Sequence, residues 1–110
     1  MNTIIQDKKG EIIRLCKEHH VKKLFVFGSV ASNSFTNESD IDFLYEFDTE
    51  GINLNKPSES SYDYADNFFN LKFGLEKLFK RKVDLIENKN FKNPYFKASV
   101  EETKQLLYVS

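Results

Sequence analysis

The sequence predicts a small domain of the α/β class, in its α+β form. Short hydrophobic segments typical of strands alternate with two longer segments whose apolar residues recur at helical spacing. The chain has 110 residues, which is close to the commonest domain size and long enough to bury one core. We therefore expect residues 1–110 to form a single domain.

The first part of the chain predicts a helix, a strand and a turn. Residues 3–20 carry apolar side chains at helical spacing, although Gly10 weakens the helix near its middle. Residues 22–27 form a hydrophobic strand, which Gly28 ends. We expect a helical turn at residues 29–33.

The middle of the chain predicts a second strand, a long loop and a long helix. A polar loop at residues 34–39 precedes the strand at residues 40–47, and residues 48–61 carry the Gly, Pro, Asn and Ser of a flexible loop. Residues 62–80 give the clearest helical pattern. Its apolar stripe consists of Ala65, Phe68, Leu71, Leu75 and Leu78.

The last part of the chain predicts a strand, a short helix and a final strand. Residues 83–86 are the third strand. Asn93 and Pro94 begin the helix, because proline is well suited to the first helical position. We expect residues 105–109 to close the chain as the last strand.

The most informative feature is a strand that ends in Gly28-Ser29, followed by a strand that opens with Asp40-Ile41-Asp42. Since successive strand side chains point to opposite faces, Asp40 and Asp42 share one face, about 6–7 Å apart. Two carboxylates this close repel each other, and a cation between them relieves the repulsion. Such oxygen ligands suit Mg²⁺, and free N–H groups after Gly28 can receive phosphate. The two segments therefore predict a site for a nucleoside triphosphate and its metal.

A third carboxylate, Asp84, lies on the third predicted strand. Taken alone, it would be interpreted as an exposed carboxylate on an edge strand. However, Val83 and Leu85 face one side of that strand and Asp84 faces the other. If this strand lies beside the strand that carries Asp40 and Asp42, Asp84 must point to the face that those two residues share. We therefore expect Asp84 to lie close to Asp40 and Asp42.

The Gly28-Ser29 turn, followed ten residues later by the Asp-Ile-Asp motif, resembles the signature of the minimal nucleotidyltransferases (MNT) of the polymerase-β-type superfamily. That family carries a third carboxylate on a later strand, which Asp84 matches. The resemblance covers nearly the whole chain. It implies a small twisted mixed sheet with helices mainly on one face, and an opposite face that is open near the aspartates.

One segment departs from the family pattern. Many relatives follow Gly-Ser with a small residue and then Ala-Arg-Gly, whereas Ala31 is followed here by Ser32 and Asn33. The arginine would be available for substrate or partner contacts. Its absence therefore bears on activity and on substrate preference.

The resemblance implies Mg²⁺-dependent transfer of a nucleoside monophosphate, with AMP from ATP as the expected case, to an acceptor hydroxyl. Asp40 and Asp42 would hold two metal ions, and Asp84 would complete the site of the ion that activates the hydroxyl. Gly28 and Ser29 would hold the β- and γ-phosphates. Family members of this size are often paired with a HEPN ribonuclease, act as its antitoxin and can transfer AMP to one of its tyrosines. A HEPN-domain partner is thus implied.

Two other functions stay open at this stage. The domain could neutralise a HEPN protein by binding alone, without catalysis. It could also modify a small molecule such as an aminoglycoside, although those relatives usually carry an additional helical domain. The nucleobase, the identity of the acceptor and a homo-oligomeric state cannot be read from the residues.

Composition excludes several other classes of protein. The net charge of −1 provides no basic field, so we expect no nucleic-acid template. No apolar run approaches the length of a membrane span. Cys16 is the single cysteine, which excludes an internal disulfide and fits a reducing cytoplasm. The 11 phenylalanines exceed what so small a core hides, which predicts an apolar patch for a partner.

Overall fold

The computed structural model describes residues 3–31, 36, 38–48 and 64–110. Its elements in chain order are α1 Thr3–Asp7, α2 Lys9–Glu18, β1 Val21–Phe27, β2 Ile41–Phe47, α3 Tyr64–Phe79, β3 Val83–Glu87, α4 Pro94–Thr103 and β4 Gln105–Val109. A 3₁₀ turn, Gly28–Ala31, follows β1. The predictions for Ser32, Asn33 and the long loop fall outside the described residues. No helix in the described ranges is long and apolar enough to cross a membrane.

The four strands form one mixed sheet in the order β3-β2-β1-β4. β1 pairs with β2 and β4 in the antiparallel sense, whereas β2 and β3 are parallel. The sheet therefore confirms the predicted fold class. Because β2 and β3 run in the same direction, the beginnings of both strands meet at the same edge of the sheet.

One face of the sheet is covered by α1, α2 and α3. Alternate residues of β2 are buried on this face, and they pack with Leu71 and Leu75 of α3 and with Ile5 and Ile12 of the first two helices. Burial of a side chain of this size stabilises the fold by about 1.5–3 kcal/mol. This main core therefore supplies a rigid support for whatever projects from the other face.

The opposite face is partly covered by α4. Asn93 caps this helix, since its Oδ1 accepts the backbone N–H groups of Tyr95 and Phe96 at 2.9 and 3.2 Å. Val100 packs there with Phe27 and Leu44 in a second apolar cluster. The predicted start at Asn93 is confirmed, but the helix has ten residues and so extends further across the sheet than a short helix would.

Two helices differ in detail from the sequence prediction. The predicted helix 3–20 divides at Lys8 instead of weakening at Gly10, because the Lys8 amide bonds to the Ile5 carbonyl, only three residues back. In α3, Ala65 is exposed and Asn67 is buried. The Asn67 amide donates a 2.6 Å hydrogen bond to a backbone carbonyl at the end of α2, which explains why a polar side chain occupies a buried position.

Candidate active site

Asp42 and Asp84 lie directly opposite each other on the parallel strands β2 and β3. Their strand neighbours, Ile41 and Val83 among them, are buried beneath the helices, so both aspartates occupy the face that α1–α3 leave free. The Asp84 carboxyl group therefore acts directly on the electrostatics of Asp42. The structure thus brings together two of the three predicted carboxylates.

The pKa of Asp42 is raised to about 6. Burial is the largest cause, followed by the adjacent Asp84 carboxyl group and then by the charge of Asp40. All of these effects disfavour the ionised form, so at neutral pH the cluster holds more negative charge than its surroundings favour. A bound cation would reverse the sign of this interaction.

Asp40 precedes β2 and lies at the more open end of the cluster. Its Oδ2 is 3.9 Å from the Nζ of Lys82, and the two side chains are 42% and 65% exposed. An ion pair this exposed contributes only about 0–1 kcal/mol to stability. The Lys82 ammonium is therefore a weakly held counter-ion, which a ligand can displace at little cost.

The loop before Asp40 is held by Arg81. Its guanidinium donates hydrogen bonds to the carbonyl groups of Thr36 and Ser39, at 3.3 and 3.0 Å. Arg81 and Lys82, which follow the end of α3, therefore both contact the segment that carries Asp40.

Gly28 brings the turn after β1 against the carboxylates. Its φ of 76° is in the left-handed region, and a Cβ at this position would lie 2.5 Å from the Asp42 Oδ2. Only glycine accommodates both the backbone conformation and the close approach. Ser29 follows in the 3₁₀ turn and is half-buried. The Gly-Ser turn and the Asp-Ile-Asp motif are therefore adjacent in space.

A further residue at this turn was not identified from sequence. The Gly28 amide donates a 3.0 Å hydrogen bond to the Oγ1 of Thr103, the last residue of α4. Gly28 and Thr103 are 75 residues apart, and no local pattern marks this threonine. Only the packing of α4 on the sheet brings the two together.

The donor chemistry of the cluster fits Mg²⁺, which prefers carboxylate oxygens and keeps several waters or phosphate oxygens in its shell. Among the described residues, however, no group of three or more His, Cys, Asp and Glu side chains is arranged to hold a metal ion. Asp42 and Asp84 are in register on neighbouring strands, and Asp40 acts on Asp42 through its charge. The convergence of all three carboxylates on a metal remains a prediction.

Similarity to known proteins identifies the family of this chain. A family model described as a nucleotidyltransferase domain matches residues 9–107. Two relatives from Methanocaldococcus jannaschii are named as candidate protein adenylyltransferases. One is 39% identical over 99% of this chain and 100% of its own length. The other is 40% identical over 86% of this chain and 83% of its own length.

Solved structures share the fold. A candidate minimal nucleotidyltransferase is 24% identical, with a TM-score of 0.65 over 96% of this chain and 95% of its own. A complex of tri-AMPylated HEPN toxin with MNT antitoxin from Shewanella oneidensis contains a chain that is 17% identical, with a TM-score of 0.58 over 96% of this chain and 72% of its own. A toxin–antitoxin structure with AMP-PNP gives 17% identity and a TM-score of 0.63, over 93% of this chain and 73% of the other. The chain belongs to the nucleotidyltransferase domain family, as the Gly-Ser and Asp-Ile-Asp motifs predicted.

Proposed function

We propose that this protein is a Mg²⁺-dependent protein adenylyltransferase that transfers AMP from ATP to a tyrosine of a HEPN-domain partner, and that it acts as the antitoxin of that partner. The observation that carries the proposal is the in-register pair of Asp42 and Asp84 beside Gly28. The names of the M. jannaschii relatives support protein adenylylation. The tri-AMPylated HEPN toxin in the S. oneidensis complex supports the choice of partner.

Each site residue has a distinct role in this proposal. Asp40 and Asp42 would hold two Mg²⁺ ions, and Asp84 would complete the cluster. Bound metal would neutralise the triphosphate and lower the pKa of the acceptor hydroxyl. Gly28 lets phosphate approach the backbone closely, and Ser29 binds the β- and γ-phosphates from the same turn.

The reaction is an in-line displacement at phosphorus. The acceptor oxygen forms a bond to the α-phosphorus while the bond from that phosphorus to the pyrophosphate oxygen breaks. Pyrophosphate leaves with the electron pair, and the hydroxyl proton passes to Asp84 and then to water. The contribution of the protein is to align the three reacting atoms and to hold the leaving group in place.

The geometry of the carboxylate cluster suits an acceptor from another protein. Asp40 and Lys82 leave the entrance of the cluster exposed. A tyrosine on a partner chain can therefore approach without a rearrangement of the main core. The partner would supply the remaining surface that orients the hydroxyl.

Label transfer tests the proposal directly. The protein is incubated with Mg²⁺, the HEPN partner and ATP labelled at either the α- or the γ-phosphate, and label on the partner is measured. We expect label from the α position only, and none when a chelator removes the metal. Neutralisation of the partner without transfer from any nucleoside triphosphate would identify a binding antitoxin. Label on an aminoglycoside in place of the partner would identify a small-molecule transferase.

A further inference from the structure

The turn that places Gly28 against Asp42 is tied to the C-terminal helix. The Gly28 amide donates to the Oγ1 of Thr103 at 3.0 Å, and the same hydroxyl donates to the Ser99 carbonyl at 2.8 Å. Since the hydroxyl has only one hydrogen, which goes to Ser99, its lone pairs face Gly28. The last turn of α4 therefore fixes the orientation of the Thr103 hydroxyl, which accepts the hydrogen bond from the Gly28 amide.

The helix that carries Thr103 is itself fixed on the sheet. Val100 is 1% exposed and packs with Phe27 and Leu44. Phe27 directly precedes Gly28, and Leu44 lies near Asp42 on β2. The rings of Phe27 and Phe96 meet edge to face, with centroids 5.9 Å apart. Rigid packing of this kind sets the position of Thr103 relative to β1, which precedes Gly28, and to β2, which carries Asp42.

The fit at the turn is tight. A Cβ added to Gly28 would lie 2.5 Å from the Asp42 Oδ2, so the turn approaches the carboxylate this closely only because residue 28 has no side chain. The hydrogen bond to Thr103 restrains the other side of this fit, and its loss would free the turn to move away from the carboxylates. A displacement of about 1 Å in a positioning element can cost on the order of 100-fold in rate.

We propose that Thr103 is a positioning residue, which holds the Gly28-Ser29 turn at the distance from Asp42 that nucleotide binding requires. The inference rests on the proposed nucleotidyl transfer. Thr103 acts through the Gly28 amide and touches neither substrate nor metal. The C-terminal helix is thus part of the nucleotide site, although it carries none of the predicted site residues.

The test compares Thr103→Val with Thr103→Ser. Valine keeps the shape of the side chain and removes the acceptor, whereas serine keeps the hydroxyl. For Thr103→Val we expect faster hydrogen exchange at the Gly28 amide and a KM for ATP raised by about three- to tenfold, the range for one lost hydrogen bond. Thr103→Ser should resemble wild type in both measurements.

Ile5→Val is the matched control for general destabilisation. Ile5 is fully buried in the core on the other face of the sheet, away from α4. The variant should lower the melting temperature but leave the KM for ATP unchanged, because the folded fraction binds normally. A KM raised equally by Ile5→Val, or a normal KM in Thr103→Val with a rapidly exchanging Gly28 amide, would overturn the inference.

Calorimetric binding of Mg-ATP separates this inference from the proposed function. If wild type binds Mg-ATP but transfers nothing, the transfer proposal fails, and weaker binding by Thr103→Val still supports the positioning role. If wild type transfers AMP and Thr103→Val binds Mg-ATP as tightly as wild type, the positioning role fails alone.

Discussion

The parallel strands β2 and β3 hold carboxylates at both of their ends, but in contrasting surroundings. At the beginning of the strands, Asp42 lies opposite Asp84. At the far end, Tyr45 lies opposite Glu87, and the hydroxyl of Tyr64 bridges them. Tyr64 is 2.8 Å from the Tyr45 hydroxyl and donates a 2.8 Å hydrogen bond to the Glu87 carboxylate.

Both pairs are in register, but they lie three residues apart along the strands, so Tyr45 is on the helix-covered face of the sheet and Asp42 is on the other face. Glu87 accepts a hydrogen bond from a phenol, and the neighbouring Glu46 accepts a 2.7 Å hydrogen bond from the Asn88 amide. Asp42 faces acids, and its pKa is raised to about 6. Polar groups that are perturbed in this way are typical of functional sites. The far end, with Tyr45 and Glu87, therefore stabilises the fold. At the beginning of the strands, called the near end below, the carboxylates of Asp42 and Asp84 repel each other, and a bound cation would relieve this repulsion.

The largest expected effect is the loss of AMP transfer when the near end is changed. Asp42→Asn and Asp84→Asn should each reduce transfer by on the order of 1,000-fold, because each removes a charge that the transition state requires. Label transfer from α-labelled ATP measures the effect. Glu87→Gln, at the far end, is the matched control and should retain activity. Transfer that survives in both aspartate variants would remove these residues from the mechanism.

A change at the far end should affect stability instead. Tyr64→Phe keeps the ring contact with Phe47 but leaves Tyr45 and Glu87 without the bridging hydroxyl. We expect the free energy of unfolding to fall by about 1 kcal/mol, measured by urea denaturation, with AMP transfer unchanged. A loss of transfer in this variant that exceeds its loss of folded protein would show that the two ends are not independent.

Asp42→Asn should stabilise the metal-free protein at neutral pH. The pKa of Asp42 is about 6 in the folded state and about 3.9 in the unfolded state, so its contribution to stability is fully present below pH 4 and is lost as the pH rises to 6. Above pH 6 the variant should gain about 1 kcal/mol, a value that allows for solvent screening of this half-exposed group. Thermal unfolding of both proteins at pH 4 and pH 7.5 tests this. An equal gain at both values would exclude the titration of Asp42 as the cause.

The smallest effect concerns the counter-ion at the entrance. Lys82→Gln should change the free energy of unfolding by less than about 0.5 kcal/mol, because its ion pair with Asp40 is exposed. High salt should abolish the difference between variant and wild type. A larger loss of unfolding free energy that does not depend on salt would mean that Lys82 stabilises the fold and is not a weakly held counter-ion at the ligand entrance.

Local patterns predicted most of this architecture. Alternation along the strands placed Asp42 and Asp84 on the face away from the helices, since the period of a strand is a local property. Turn chemistry predicted that β1 ends at Gly28 and that a helix begins at Asn93.

Long-range packing accounts for the features that the sequence did not reveal. Thr103 reaches Gly28 only because α4 crosses the second face of the sheet. Arg81 reaches the loop before Asp40 only because β2 and β3 are neighbours. No local pattern in the sequence therefore predicted the contact of either residue.

Calorimetric titration of ATP into wild type, Asp42→Asn and Glu87→Gln, with and without Mg²⁺, tests most directly whether the two ends of the β2–β3 pair differ in function. The account predicts Mg²⁺-dependent binding in wild type, the same binding in Glu87→Gln, and loss of the Mg²⁺-dependent part in Asp42→Asn. Equal Mg²⁺-dependent binding by all three proteins, or a greater loss in Glu87→Gln than in Asp42→Asn, would contradict it.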